Sequence, residues 1–165
     1  MTDHELRFAP ATRGDLPRLQ AIRAAAFEPV FASFRALLGD TIYETAQAHE
    51  DAGQAGLLEA MFEPDSIWEV HVVRRGEIIV GFVSVRLDRD RAIGEIGLNA
   101  VDPEHAGVGV GTAMYGHALA RMREAGMRVA TVATGGDPSH APARRAYEKA
   151  GFDAEIPSVW MCREL

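Results

Sequence analysis

The chain has 165 residues, of which 47% are hydrophobic and 25% charged, and this composition predicts one globular domain over residues 1–165. Its formal net charge of −7 argues against a nucleic-acid binder, because affinity for phosphate backbones needs clustered Lys and Arg. Without a run of roughly 20 apolar residues or a signal-peptide core, the sequence predicts a cytoplasmic protein with no membrane partner.

Cysteine and histidine usage argues against a metal site. Cys162 is the only cysteine, so we expect no internal disulfide and predict a small buried hydrophobic role for it. The six histidines include no pair at the spacing that builds a zinc site on a helix.

The N-terminal part is predicted to be helical after one short strand. Residues 5–9 are typical of a strand, and residues 16–27 have apolar side chains near helical spacing, with Asp15 placed as a cap. Residues 29–62 favour helix but are interrupted by glycines, so we predict two or more helices there.

The middle of the chain is predicted to form an antiparallel strand meander. Residues 68–73 and 78–87 are rich in β-branched and aromatic side chains, and Arg75-Gly76-Glu77 supplies a tight turn between them. Residues 94–101 are typical of a further strand, which ends at Asp102-Pro103.

The C-terminal part is predicted to alternate between helices and strands. A helical pattern runs from Gly111 to Gly126, and residues 128–134 favour a strand that returns to the sheet by a right-handed parallel crossover. Residues 142–150 predict a last helix, and residues 158–163 predict a strand that closes the sheet.

A glycine-rich segment, residues 103–112, joins the predicted strand 94–101 to the following helix. Its glycines allow close approach of the backbone, and free N–H groups at a helix start bind anions such as a pyrophosphate. A P-loop is excluded because Thr112-Ala113 follows Gly111, and a dinucleotide-binding loop has a different glycine spacing. A turn that merely packs the helix on the sheet is the alternative.

Two motifs resemble the GNAT acetyltransferase superfamily. The first, Val-x-Pro-x-x-[Arg/Gln]-x-x-Gly-x-Gly, matches residues 101–111 except that Ala106 replaces the Arg or Gln. The second, Asn-x-x-Ala-x-x-x-Tyr-Glu-Lys-x-Gly-Phe, matches residues 140–152 except that His140 replaces the Asn. The resemblance extends over about two thirds of the chain, from Trp68 onward.

The resemblance implies an α/β fold. The sheet would be mixed and mostly antiparallel, with six to seven strands, helices on both faces and a splay between the fourth and fifth strands. It also implies an acetyl-CoA-dependent N-acetyltransferase, in which a primary amine of a small molecule or peptide attacks the thioester directly within a ternary complex. The alternative is a non-catalytic acyl-CoA sensor of the same fold. No metal is implied, and a homodimer is expected because many relatives pair.

The resemblance also implies roles for individual residues. Tyr147 is the candidate general acid, and Glu95 is the candidate base, with Gly97 beside it leaving room for a substrate and Asp137 as a second candidate. His140 is predicted either to bind the pantetheine arm or to cap the helix start. The predicted cofactor contacts, which also include His140 and Tyr147, are otherwise made by the fourth strand and the glycine-rich segment: Asn99, Ala100, Val101, Gly107, Val108, Gly109, Val110, Gly111 and Thr112.

Overall fold

The computed structural model describes residues 5–165, and its β-strands form one five-stranded sheet with helices on both faces. In chain order the strands and α-helices are β1 (Leu6–Pro10), α1 (Leu16–Ile42), α2 (Ala48–Ala60), β2 (Trp68–Arg75), β3 (Ile78–Asp88), β4 (Ile93–Val101), α3 (Val110–Glu124), β5 (Val129–Val132) and α4 (Ala141–Lys149). The mixed α/β class, the meander and the crossover are as predicted from the sequence.

The strands lie in the sheet in their chain order. Neighbouring strands from β1 to β4 are antiparallel, whereas β4 and β5 are parallel and joined through α3. The parallel pairing covers only Ile93 to Ile96 against Val129 to Val132, while β4 continues to Val101 beside β3. The two strands therefore separate after Ile96, which confirms the predicted splay.

Each face of the sheet has its own hydrophobic core. Helices α1 and α2 cover one face, where the buried residues are Leu19, Ile22, Leu58, Val70, Val72, Ile79, Phe82 and Ala100. Helices α3 and α4 cover the other, where the buried residues are Val73, Val80, Val83, Val85, Ile96, Val110, Met114, Tyr115, Ala118, Met122 and Tyr147. The sheet is thus the middle layer of three, and its edges reach the surface.

The N-terminal helices break at Gly39, one of the predicted glycine interruptions, but not at the predicted boundary before Pro29. Helix α1 continues through Pro29 to Ile42, and its backbone leaves the helical region only at Gly39 (φ 73°, ψ 162°). One π-helical turn, Tyr43–Gln47, then leads into α2. A proline removes only one backbone donor, and here its cost is not large enough to end the helix. Within residues 5–165, no helix combines the length and apolarity needed to cross a lipid bilayer.

The predicted strand at residues 158–163 is wrong. Residues 153–165 carry no helix or strand, so the described part of the chain has five strands rather than six or seven. Ile156 and Trp160 are 97% and 61% exposed, so these apolar side chains gain no burial that would stabilise a strand. Cys162 is also exposed, which corrects its predicted burial.

Candidate active site

The gap between β4 and β5 is the centre of the candidate site. Because β5 ends at Val132 and pairs with β4 only as far as Ile96, no strand within residues 5–165 lies on that side of the β4 backbone from Gly97 to Val101. Unpaired strand groups are a ready template for another extended segment. The predicted contacts Asn99, Ala100 and Val101 lie along this open stretch.

The glycine-rich segment brings a helix start to the end of β4. A short 3-10 turn, Pro103–His105, is followed by Gly109, which caps α3 in the left-handed region (φ 88°) that disfavours other residues. The first N–H groups of α3 have no partner within the helix, and the helix dipole makes this end electropositive. Val110 is buried, so it offers only its backbone, whereas Val108 is exposed.

Asp102 fixes the glycine-rich segment to the sheet and to α1. Its carboxylate accepts a hydrogen bond from the N–H of Glu104 (3.0 Å) and pairs with Arg18, which also donates to the carbonyl of Ile79. Burial alone would raise the pKa of Asp102, but the N–H of Glu104 and the Arg18 guanidinium hold it below its usual value. Sequence reasoning missed Arg18, since α1 is far from this segment along the chain.

Three side chains join β4 to α3 and α4 inside the site. Asn99 Nδ2 donates to the Tyr147 hydroxyl (3.1 Å), and the Tyr115 hydroxyl donates to Asn99 Oδ1 (2.9 Å). The two tyrosine rings lie 4.4 Å apart between centroids, and both are buried. Since the Tyr147 oxygen accepts from Asn99, its own O–H proton is free to be donated elsewhere. The structure thus brings the predicted residues Asn99 and Tyr147 together.

Tyr115 is a site residue that sequence reasoning missed. Burial, together with the neighbouring Tyr147, raises the pKa of Tyr115 well above its usual range. Tyr115 therefore stays protonated and serves as a fixed donor to Asn99. The sequence did carry a signal for Tyr115. A tyrosine on the buried face of α3 needs a polar partner for its hydroxyl.

Glu95 lies on the sheet face covered by α1 and α2, paired with Arg86 of β3. The Arg86 guanidinium also lies over the Trp68 ring, 5.6 Å from its centroid. A Cβ atom on Gly97 would overlap the Trp68 ring and come within 2.8 Å of Ser84 Oγ. The space that Gly97 was expected to leave for a substrate is therefore filled by Trp68, and glycine is required there for the close approach.

His140 and Asp137 form a pair at the start of α4. His140 Nδ1 lies 2.5 Å from Asp137 Oδ1, and the other carboxylate oxygen accepts from Ser33 of α1 (3.1 Å) and from the N–H of Ser139. Burial opposes ionisation, but Ser139 and His140 lower the pKa of Asp137 to about 2. The His140 side chain makes no capping hydrogen bond, so the cap alternative is wrong. A carboxylate with so low a pKa is a weak base, which argues against Asp137 as the second candidate.

The described residues, 5–165, contain no group of three His, Cys, Asp or Glu side chains arranged to hold a metal ion. What they do present is an open strand edge, an electropositive helix start, and a buried tyrosine whose proton is free. Those features suit an extended ligand with an anionic end and a group that accepts a proton.

Comparisons with known proteins agree with this geometry. The profile of the acetyltransferase (GNAT) family matches residues 31–152. A mycothiol acetyltransferase from Sanguibacter keddieii is 36% identical over 90 residues, which are 52% of this chain but only 28% of that relative. This chain therefore spans little more than a quarter of that curated protein.

Two solved structures share the fold. The PaiA N-acetyltransferase from Thermoplasma acidophilum in complex with coenzyme A has a TM-score of 0.70 at 14% identity, with 93% of each chain covered. An aminoglycoside acetyltransferase from an uncultured soil metagenomic sample, in complex with sisomicin, has a TM-score of 0.61 at 17% identity, with 99% of this chain and 98% of that chain covered. At such identities the likeness shows the fold alone.

Proposed function

Because the chain belongs to the acetyltransferase (GNAT) family, we propose that it acts as a single-domain N-acetyltransferase that moves an acetyl group from acetyl-CoA to a primary amine. The observation that carries this proposal is the Tyr147–Asn99–Tyr115 hydrogen-bond chain beside the open edge of β4. It supplies a proton donor at the place where an extended donor molecule fits.

Acetyl-CoA binding is assigned to the gap and to the glycine-rich segment. The pantetheine arm pairs with the β4 backbone at Asn99, Ala100 and Val101, as an added strand would. The N–H groups of residues 107–112 hold the pyrophosphate at the start of α3. These contacts use the backbone, so they tolerate Ala106, although one side-chain contact is lost. His140 contacts the pantetheine from the turn that precedes α4, and Asp137 orients its ring.

The reaction is a direct transfer within a ternary complex. The neutral amine attacks the thioester carbon, a C–N bond forms, the C–S bond breaks, and Tyr147 gives its proton to the departing thiolate. The proton lost by the amine passes to Glu95, directly or through water. A backbone N–H near Ala100 stabilises the oxyanion of the tetrahedral intermediate.

The acceptor class in this proposal is a small-molecule or peptide amine. The relative from Sanguibacter is named for mycothiol, and a solved neighbour holds the aminoglycoside sisomicin. These two relatives favour a small-molecule acceptor over a peptide. The chain's net charge of −7 favours a cationic acceptor by long-range attraction.

Thermal unfolding with and without millimolar acetyl-CoA, followed by thiol release across a panel of amines, tests the function. A ligand that binds only the folded state at a hundred times its Kd adds about 2.7 kcal/mol of stability, so the Tm should rise. Thiol release with one amine class would identify the acceptor. A rise in Tm without thiol release would favour the non-catalytic acyl-CoA sensor, and no rise at all would contradict both functions.

A homodimer is also part of the proposal. Among the described residues, 5–165, strand β5 pairs only with β4, and its other edge has no strand partner there. The C-terminal segment, defined as residues 153–165, exposes a set of large apolar side chains: Ile156, Val159, Trp160, Met161 and Leu165. Exposed apolar groups and open strand edges are features of surfaces that bind another chain.

A further inference from the structure

Three neighbouring strands build a small site that holds a positive charge. Trp68 of β2 offers its ring face and Glu95 of β4 its carboxylate, and we call these two side chains the cation box. The guanidinium of Arg86, from β3 between them, lies over the ring and pairs with the carboxylate. An aromatic face together with a carboxylate is a combination that also binds ammonium groups.

The cation box leaves one hydrogen-bond donor of Arg86 without a partner. Arg86 Nε is buried and has no hydrogen-bond partner within residues 5–165. A buried donor without a partner is unfavourable. The box therefore matches the charge of Arg86 but not its full set of donors.

The cation box lies against the open part of β4. The Trp68 ring packs on Gly97, the first β4 residue beyond the pairing with β5. The Gly97 carbonyl accepts from Asn99 Nδ2 (2.9 Å), and the same Nδ2 donates to the Tyr147 hydroxyl. The cation box and the Tyr147 hydroxyl lie on opposite faces of the sheet and are linked through two β4 residues, Gly97 and Asn99, of the open stretch.

We propose that the cation box is the subsite for the ammonium group of the acceptor, and that Arg86 occupies it until the acceptor displaces it. The ligand class is a primary ammonium, which carries one compact charge and three donors. This inference rests on the proposed function and deepens it, since the carboxylate that binds the ammonium is also placed to accept its proton.

Displacement of Arg86 requires little rearrangement. The Arg86 and Glu95 side chains are 39% and 34% exposed, so the guanidinium can swing into solvent without crossing the core. Ion pairs exposed to this degree are weak, because water and salt screen them. Arg86 therefore acts as an internal competitor that raises the acceptor concentration needed for occupancy.

The test is amine binding measured without acetyl-CoA. The chain has two tryptophans, so Trp160→Phe leaves Trp68 as the only indole reporter. In that background, n-butylammonium is titrated at constant ionic strength and the change in Trp68 fluorescence gives its half-saturation concentration. We expect Arg86→Gln to lower that concentration about three- to fivefold, the size of a weak exposed ion pair. Glu95→Gln should raise it about tenfold, because the charge partner is lost.

Matched controls separate this effect from a general change in charge. Arg91→Gln removes an arginine that pairs with Asp88 at 2.7 Å, outside the cation box, and should leave butylammonium binding unchanged. Neutral n-butanol should not alter Trp68 fluorescence. Arg86→Met, which also removes the competitor, replaces Arg86→Gln if that variant is unfolded by circular dichroism.

The inference is overturned if removal of the Arg86 charge leaves butylammonium affinity unchanged or weaker, or if Arg91→Gln gives the same gain. Failure of the proposed function would look different. In that case acetyl-CoA would not raise the Tm and no amine would release thiol, while the fluorescence titration, which contains no acetyl-CoA, would still report on the cation box.

Discussion

At the scale of single residues, the site depends on how Asn99 orients two tyrosines. Its amide donates to Tyr147 and its carbonyl oxygen accepts from Tyr115, so the two hydroxyls differ in what they can do. The Tyr115 hydroxyl donates its hydrogen bond to Asn99, whereas the Tyr147 oxygen accepts one from Asn99 and keeps its own O–H available as a donor. The asymmetry supports the proposal that Tyr147, rather than Tyr115, is the proton donor.

Tyr147→Phe removes that donor while keeping the ring that packs against Tyr115 and Phe152. We expect kcat to fall about a hundredfold, the usual size of a lost general acid, with little change in the acetyl-CoA-dependent rise in Tm. Tyr43→Phe is the control, since it removes a buried hydroxyl that donates to Asp51, away from the site. Equal rates in wild type and Tyr147→Phe would remove Tyr147 from the mechanism.

The motifs predicted Tyr147 and Asn99 at the site, but the contacts around Glu95 could not be read from the sequence. The Trp68 ring reaches across β3 to Gly97, so the contact depends on two strand registers. The β3–β4 register also shifts between Val83 and Val85. Without that irregularity, strict alternation would put Ile96 and Asn99 on opposite faces, whereas both point toward α3 and α4.

At the scale of elements, β2 and α3 are joined by a pair of partly buried histidines. His71 Nδ1 lies 3.1 Å from His117 Nε2, and the His117 ring stacks on Phe8 of β1. Such a contact needs one ring to donate and the other to accept, so the accepting ring must be neutral and the two rings cannot both be protonated. Burial lowers the pKa of His71 and of His117, against the weaker effects of Glu69 and Glu124 respectively.

The histidine pair predicts a loss of stability on mild acidification. Each folded-state pKa lies below the ordinary 6.5, so the unfolded chain binds more protons and the free energy of unfolding falls as the pH drops below 6.5. The slope should approach about 1.4 kcal/mol per pH unit for each histidine. Urea unfolding at several pH values between 7 and 5 measures this slope. The pH range lies above the range in which the carboxyl groups titrate.

His117→Phe should flatten this pH dependence while keeping the stacking on Phe8. His49→Gln, which changes an exposed histidine of α2, should leave the dependence as in wild type. A His117→Phe profile as steep as that of wild type would show that the pair does not control acid stability.

The elements were predictable to different degrees for physical reasons. The β2–β3–β4 meander and the crossover through α3 follow from local periodicity and turn residues. The strand predicted at residues 158–163 has the right composition, but a strand also needs a partner, and pairing is a non-local property. The same limit applies to α1, which continues past Pro29 and there contacts the segment before α4 through Ser33, whose hydroxyl donates to Asp137.

At the scale of the whole molecule, the C-terminal segment and the open edge of β5 predict self-association. We expect light scattering to give a dimer for the full chain and a monomer for a chain ending at Asp153. Both should show the acetyl-CoA-dependent rise in Tm, because Phe152, which packs on Tyr147, is retained. A monomeric full chain, or a truncated chain that stays dimeric, would contradict the dimer proposal.

The short parallel pairing between β4 and β5 has a consequence for local motion. In the described part of the chain, β5 pairs with the sheet at four register positions, and α4, which carries Tyr147, follows β5 in the chain. Elements with few backbone contacts open at less cost than global unfolding. A donor molecule lying in the gap would contact β4, α3 and α4 together. Its binding would therefore stabilise α4, the helix that carries Tyr147. Amide hydrogen exchange in β5 and α4 is then expected to slow when the donor binds, and product release would loosen this part of the molecule again.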